Sequence, residues 1–214
     1  MSLSKPTGLQ TGDILFSIHN RDSGFQQNDT ISTRPSGFAA IATSPTDAGV
    51  NWNRSWVDYK IVDGSEASTL DWIFNRAADG VGAMIAYRGV DTTTPFDVTP
   101  VPYSDQASDT SQIVGSISPT STDCMLLTIV TAQTQELNQS TGLTPAGSMT
   151  ERIDIRFGSF TSIHFCEEVL TASGATGTRT HTSPNSEQSF GWAIVLRPLA
   201  AGGPNDNLMG QICI

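Results

Sequence analysis

One stretch of this chain occurs twice. Gly82-Ala83-Met84-Ile85-Ala86-Tyr87-Arg88-Gly89-Val90 has a counterpart in Gly191-Trp192-Ala193-Ile194-Val195-Leu196-Arg197-Pro198-Leu199. Each is a short apolar run opened by Gly, crossed by Ile and stopped by Arg and a turn residue, as a strand buried on both faces reads. Two more landmarks recur in the same order. Asp13-Ile14-Leu15-Phe16 matches Asp123-Cys124-Met125-Leu126, and the turn Gly64-Ser65 matches Gly174-Ala175. The common offset, roughly 110 residues, is too long for a solenoid repeat and points to two pseudo-repeated halves. These halves are expected over about 12–100 and 121–200, within one domain spanning 12–200.

Short strand signals punctuated by turn residues fill both halves. Ile14 to Ile18 reads as a strand, His19 to Gly37 as a long polar loop with room for a short strand at its end, and Phe38 to Thr43 as a second strand before the turn at 44–49. Val57, Tyr59 and Ile61 alternate with polar neighbours. The segment 66–79 is ambiguous: Ser68-x-x-Asp71 suits a helix cap, while Leu70, Trp72 and Phe74 alternate at period two. Strand is the expectation, because the counterpart at 176–182 is Thr-rich. Residues 91–112 carry Pro95, Pro100 and Pro102, which forbid a central strand and suggest a connector. In the second half, strands are expected at 124–130, 149–157, 161–170, within 174–184, and at 190–199. An arm (1–11) and an apolar tail after a Gly/Pro linker (201–214) flank the domain, and either suits clasping a neighbouring subunit. The fold class is therefore all-β, an antiparallel β-sandwich closed as a jelly roll.

Charge narrows the partners. The net charge is −10, and the 11 Lys and Arg residues are not gathered into a patch, so nucleic acid is not an expected partner. No apolar run of membrane-spanning length occurs, and residues 1–6 lack the core of a signal peptide, so neither membrane nor secretion is expected. Cys124, Cys166 and Cys213 are odd in number without CxxC spacing. Cys124 falls where the first half has Ile14, the place of a small buried hydrophobe, so no disulfide framework is expected.

The side chains that carry chemistry do not form a motif. His164 lies in an apolar strand and reads as a core histidine, while His19 and His181, at strand ends, read as solvated. GxSxG, HExxH, a P-loop and metal-spaced histidine pairs are all missing from the sequence. Asp105 and Asp109 lack an EF-hand register and read as solvated loop. Glu167 and Glu168 are neighbours on a strand and so face opposite sides. No catalytic, cofactor or metal site is expected. Trp52 and Trp56, four apart near a turn with Arg54 between them, are the candidate contact for a glycan or protein partner, because an exposed indole stacks on sugar rings.

Two groups of residues carry a family likeness. The first is Tyr59-Lys60-Ile61-Val62, then Gly64 to Ser68 with Trp72, then Ala86-Tyr87-Arg88-Gly89-Val90-Asp91 and Pro95-Phe96-Asp97. The second is Thr144 to Gly147 with Thr150-Glu151-Arg152, Gly174 to Thr178, and Trp192 to Pro198. Together they resemble a β-sandwich module of structural proteins in tailed phages and prophages. The resemblance covers most of residues 12–199 and departs from the module in the 19–37 loop and the C-terminal tail. It implies a non-enzymatic virion protein assembled in the host cytoplasm. The expected role is capsid decoration or cementing, with the major capsid protein or other virion proteins as partners. The protein itself is expected to be a homo-oligomer, with a trimer favoured. The alternatives are a tail-fibre or receptor-binding module that holds host-surface glycan, and a cellular carbohydrate-binding or adhesin domain.

Overall fold

The computed structural model describes residues 1–22, 29–41, 53–133, 142–158 and 161–200. Its strands in chain order are β1 (Ser2–Ser4), β2 (Ile14–Asp22), β3 (Ile31–Thr33), β4 (Ala39–Ala40), β5 (Asn53–Ile61), β6 (Thr69–Asp71), β7 (Ile73–Phe74), β8 (Gly80–Tyr87), β9 (Val101–Val114), β10 (Cys124–Gln133), β11 (Thr150–Phe157), β12 (Thr161–Leu170) and β13 (Arg179–Leu196). Among the described residues there is no helix. The smaller main sheet has the order β4-β5-β2-β8 and the larger β11-β12-β10-β13-β9, while β1-β6 and β3-β7 are two-stranded ribbons. Every strand pairing is antiparallel.

Strand β2 explains the layering. Every residue from Ile14 to Arg21 is buried, so both of its faces must be covered. Ile14, Phe16 and Ile18 point inward and meet Met125, Leu127 and Ile129 of β10 with Phe165, Trp192 and Ile194 of the larger sheet. Each such side chain, fully buried, contributes roughly 1.5–3 kcal/mol, so this shared layer is the main source of stability. Leu15 points outward, into a second layer with Leu70, Trp72 and Met84, under Leu3, Leu9 and Phe38. The larger sheet is covered in the same way: Leu126, Val130, Cys166 and Val195 pack beneath Leu143, Ala146, Met149, Val114 and Ile117.

The two landmark glycines are explained by these covers. A Cβ on Gly82 would stand 2.5 Å from Met1 Sδ and 3.0 Å from Leu3, because the N-terminal arm crosses there. A Cβ on Gly191 would stand 3.1 Å from Val114 Cγ2, because the far end of the β9–β13 ribbon turns back over its own sheet. That turn follows the break in register between Thr182 and Glu187, where Pro184 lies.

The two halves wind alike. In each run of four strands (β2, β4, β5, β8 and β10, β11, β12, β13), the order across the sheet is second, third, first, fourth. The landmark stretches also meet: Val90 bridges Pro198, and Leu199 N–H donates to Gly89 O. Each stretch ends in a paired arginine. Arg88 forms a two-pronged bond to Asp13, at 2.9 Å on both prongs. Arg197 reaches Asp97 at 3.2 Å. Burial pushes the Asp97 carboxyl up, but hydrogen bonds from Ser121 and Thr120 outweigh it and hold the group well below the usual carboxylate range.

The all-β antiparallel sandwich is what the chain forms. Each run of four stays within one sheet, which leaves the jelly-roll winding without support. Three expectations need correction. Residues 101–112 belong to a long strand, β9, and Pro102 is tolerated because β9 is an edge, with no partner on its outer side to receive the missing N–H. The arm is not a loose extension. β1 pairs with β6, and the Met1 ammonium donates to Trp72 O at 2.6 Å. The 19–37 loop begins later than expected, since β2 runs to Asp22, and the short strand allowed at its end is Ile31–Thr33. Segment 66–79 is extended, with Leu70 and Trp72 buried. The tail 201–214 lies outside the described residues.

Polar clamps close both ends of the apolar layer. At one end Asn20, fully buried, donates from Nδ2 to Ala132 O (3.0 Å) and Ser162 O (2.9 Å), joining the two sheets. Its Oδ1 accepts from Asn53 Nδ2 and Ser55 Oγ, both at 3.0 Å, so the amide uses its full hydrogen-bonding capacity. At the other end Tyr87 donates to Glu167 at 2.5 Å, and Arg152 holds the same carboxylate. Asn20→Leu is expected to strand two buried carbonyls and lower unfolding free energy in urea by roughly 2–4 kcal/mol. A loss under 1 kcal/mol would show that this clamp does not hold the sheets together.

Candidate functional site

The described residues gather their titratable side chains most densely on the outer face of the larger sheet. His164 and Cys166 are two apart on β12, so both project to that face, while Ile163 and Phe165 project into the shared core. Strand β11 pairs alongside, and its register shifts between Glu151 and Ile153. The irregularity lets Glu151 and Asp154, three apart, both converge on His164, where alternation would have sent them to opposite faces. His181 arrives from the folded-back ribbon, under the turn at 142–149 that Thr144 fastens to Thr182.

The distances are short. His164 Nε2 lies 3.0 Å from Cys166 Sγ, and its Nδ1 lies 3.6 Å from Glu151 Oε2. The His164 and His181 rings stand 5.1 Å apart, nearly perpendicular. Ala146 N–H donates to His181 Nδ1 at 3.3 Å. His164 Nδ1, His181 Nε2, Asp154 Oδ1 and Glu187 Oε2 are buried without a hydrogen-bond partner.

Burial dominates the electrostatics. It lowers His164 to about 3, helped by His181, and His181 to about 4, helped by Arg179, so both imidazoles are neutral. It pushes the Cys166 thiol up to about 12, and Glu151 and Asp154 add to the rise. Burial and then Glu151 raise Asp154, against hydrogen bonds from the backbone N–H groups of Gly142 and Leu143. The Cys166–His164 pair therefore resembles a nucleophile and its base in spacing alone. A reactive thiol needs a lowered pKa and access, whereas this one is raised and fully enclosed. Neutral imidazoles beside a thiol are suited to holding something.

The residues singled out from sequence are placed differently. Trp52 lies outside the described residues. Trp56 is buried, its ring edge-on to Phe74 at 5.3 Å, so it presents no face for stacking, contrary to expectation. Arg54 is half-buried beside it. His19 and His181, expected in solvent, are fully buried because the N-terminal arm and the 142–149 turn fold over them. His19 lies 3.3 Å from Met1 Sδ, with its ring 4.7 Å from that of Trp72, and burial lowers it to about 3. Asp105 and Asp109 lie on strand β9 rather than in a loop. Glu167 and Glu168 do face opposite sides: Glu167 meets Tyr87, and Glu168 meets Arg179 and Ser148. His164 is the core histidine expected, and the free thiols Cys124 and Cys166 are buried. The His-x-Cys spacing on one strand face was the available sign of the cluster. Its third member could not be paired with it from sequence.

Comparison with family models, curated proteins and solved structures gives no match.

Glu187, nearly enclosed, gives a test of this electrostatic picture. Burial raises its carboxyl to about 7, with Asp154 adding to the rise and a hydrogen bond from Ser183 opposing it. The folded state then keeps a proton that the unfolded chain releases between the ordinary glutamate range and pH 7. The resulting stability is full at low pH and is lost as pH rises through 7. Glu187→Gln is expected to remove that loss, so that the variant overtakes the parent by on the order of 3 kcal/mol by pH 8.5 in denaturant titrations. Parallel stability–pH curves for the two proteins would refute the assignment.

Proposed function

We propose that this chain is a non-enzymatic structural protein of a bacteriophage virion, a decoration or cement protein of the capsid. The resemblance of residues 59–97 and 144–198 to phage sandwich modules supports the family. The single structural observation that carries the role is the double covering of both sheets. The N-terminal arm closes one outer face, and the curled ribbon with the 142–149 turn closes the other. A block built in this way offers a neighbour its margins. The large apolar side chains that remain exposed among the described residues are Ile73 on β7, Phe157 at the end of β11 and Val169 near the end of β12. Dispersed marginal contacts suit a lattice, where many weak interfaces add by avidity. The partners on this reading are the major capsid protein and further copies of the chain, with a trimer favoured.

The glycan-holding alternative rested on exposed indoles at Trp52 and Trp56; the Trp56 ring is packed against Phe74, and Trp52 lies outside the described residues. Immunogold labelling of particles from cultures that produce the chain is the direct test. Antibody raised against it is expected to decorate the shell. Label confined to tails would move the protein to the tail apparatus, and particles without label would overturn the virion reading.

A further inference from the structure

The geometry points to a buried divalent-metal site, of the zinc class, ligated by His164, Cys166 and His181. One nitrogen from each ring and the Cys166 sulfur lie within 4.8 Å of one another, close enough for small side-chain shifts to bring all three onto a single ion. A nitrogen and a sulfur bound to one zinc stand roughly 3.5 Å apart, given bond lengths of about 2.0 and 2.3 Å. The present 3.0 Å between His164 Nε2 and Cys166 Sγ thus opens by only a small side-chain rotation. The independent observation is an orphaned nitrogen: His181 Nε2 is enclosed without a partner, a state that costs free energy unless something satisfies it.

The surroundings fit a loaded ion. With His164 ligating through Nε2, its Nδ1–H points toward Glu151 Oε2, now 3.6 Å away, as the carboxylate that orients a metal-bound imidazole. Binding exchanges the Cys166 thiol proton for the metal. A dication with one thiolate and two neutral imidazoles carries a net positive charge, which Glu151 and Asp154 face from β11. Thiolate with imidazole selects zinc-like ions over magnesium or calcium, which prefer oxygen. The contact that loading must give up is the 3.3 Å bond from Ala146 N–H to His181 Nδ1. If His181 ligates through Nε2, its proton moves to Nδ1. If it ligates through Nδ1, the metal takes the place of the Ala146 N–H. In both cases the adjustment falls in the 142–149 turn.

Cobalt(II) titrated into the full chain, in a Cys213→Ser background, tests the site by spectrum. The expected result is one equivalent bound, with the visible bands of tetrahedral cobalt and a near-ultraviolet thiolate charge-transfer band. Cys166→Ser and His181→Gln should abolish the thiolate band or the tetrahedral spectrum, and Cys124→Ser should leave both unchanged. No thiolate band in the parent, or one that survives Cys166→Ser, would overturn the proposal. If those variants fail to fold by circular dichroism, X-ray absorption of the zinc-loaded parent decides. One sulfur with imidazole nitrogens supports the site, and an all-oxygen-and-nitrogen shell refutes it.

Discussion

The amide of Asn20 is where the two sheets are held in one relation to each other. The apolar layer between them is large, but apolar contact is non-directional, and two sheets could slide over it at little cost. Asn20 removes that freedom by donating to the carbonyls of Ala132 and Ser162, on two different strands of the opposite sheet. Ser55 Oγ, 2.7 Å from Thr131 Oγ1, adds a second crossing beside it. A misaligned sandwich would bury these groups unpaired. The network therefore selects one register, and the aromatic and aliphatic side chains deepen it.

The same logic explains the covers. A strand such as β2, apolar inward and mixed outward, cannot leave Leu15 and Met84 in water, and the arm is the segment that closes over them. The larger sheet has no spare terminus among its described residues and uses its own longest hairpin instead, bent at Pro184. The two halves thus wind their four strands in the same order but cover them with different material. Gly82 and Gly191 are positions that a cover crosses, and each lacks the side chain that would block it.

Strand-forming stretches were legible in the sequence because period-two alternation is a local signal. Ile153 and Ile155 of β11 and Ile163 and Phe165 of β12 show it plainly. The pairing of Gly82 with Gly191 and of Ile14 with Cys124 was also legible, since it depends on position along the chain. What could not be read was the fate of polar residues at strand ends. His19 and His181 have Asn, Thr and Arg as neighbours and look solvated, yet their burial is decided by segments 18 and 35 residues away, at Met1 and Ala146. Trp56 misled for the same reason, because Phe74 packs on it from a ribbon remote in sequence. Pro102 misled differently: proline excludes a central strand and leaves an edge strand open, and sequence alone does not tell edges from centres.

The outer layer of the larger sheet poses the remaining physical question. Among its Leu and Val side chains it holds a cluster of two histidines, a thiol and two carboxylates. A buried polar group without a partner costs on the order of 1–3 kcal/mol, and this cluster holds three such atoms, on His164, His181 and Asp154. The simplest folding solution would put aliphatic residues there, as the chain does at Leu126 and Val195 on the same face. Part of the cost is offset if an ion takes His181 Nε2 as a ligand and the His164 Nδ1–H turns to Glu151. A structural ion under the 142–149 turn would also tie the folded-back ribbon to β12, with which it shares no strand pairing. On that account the metal would do for the outer cover what Asn20 does between the sheets, converting apolar contact that tolerates sliding into a fixed position.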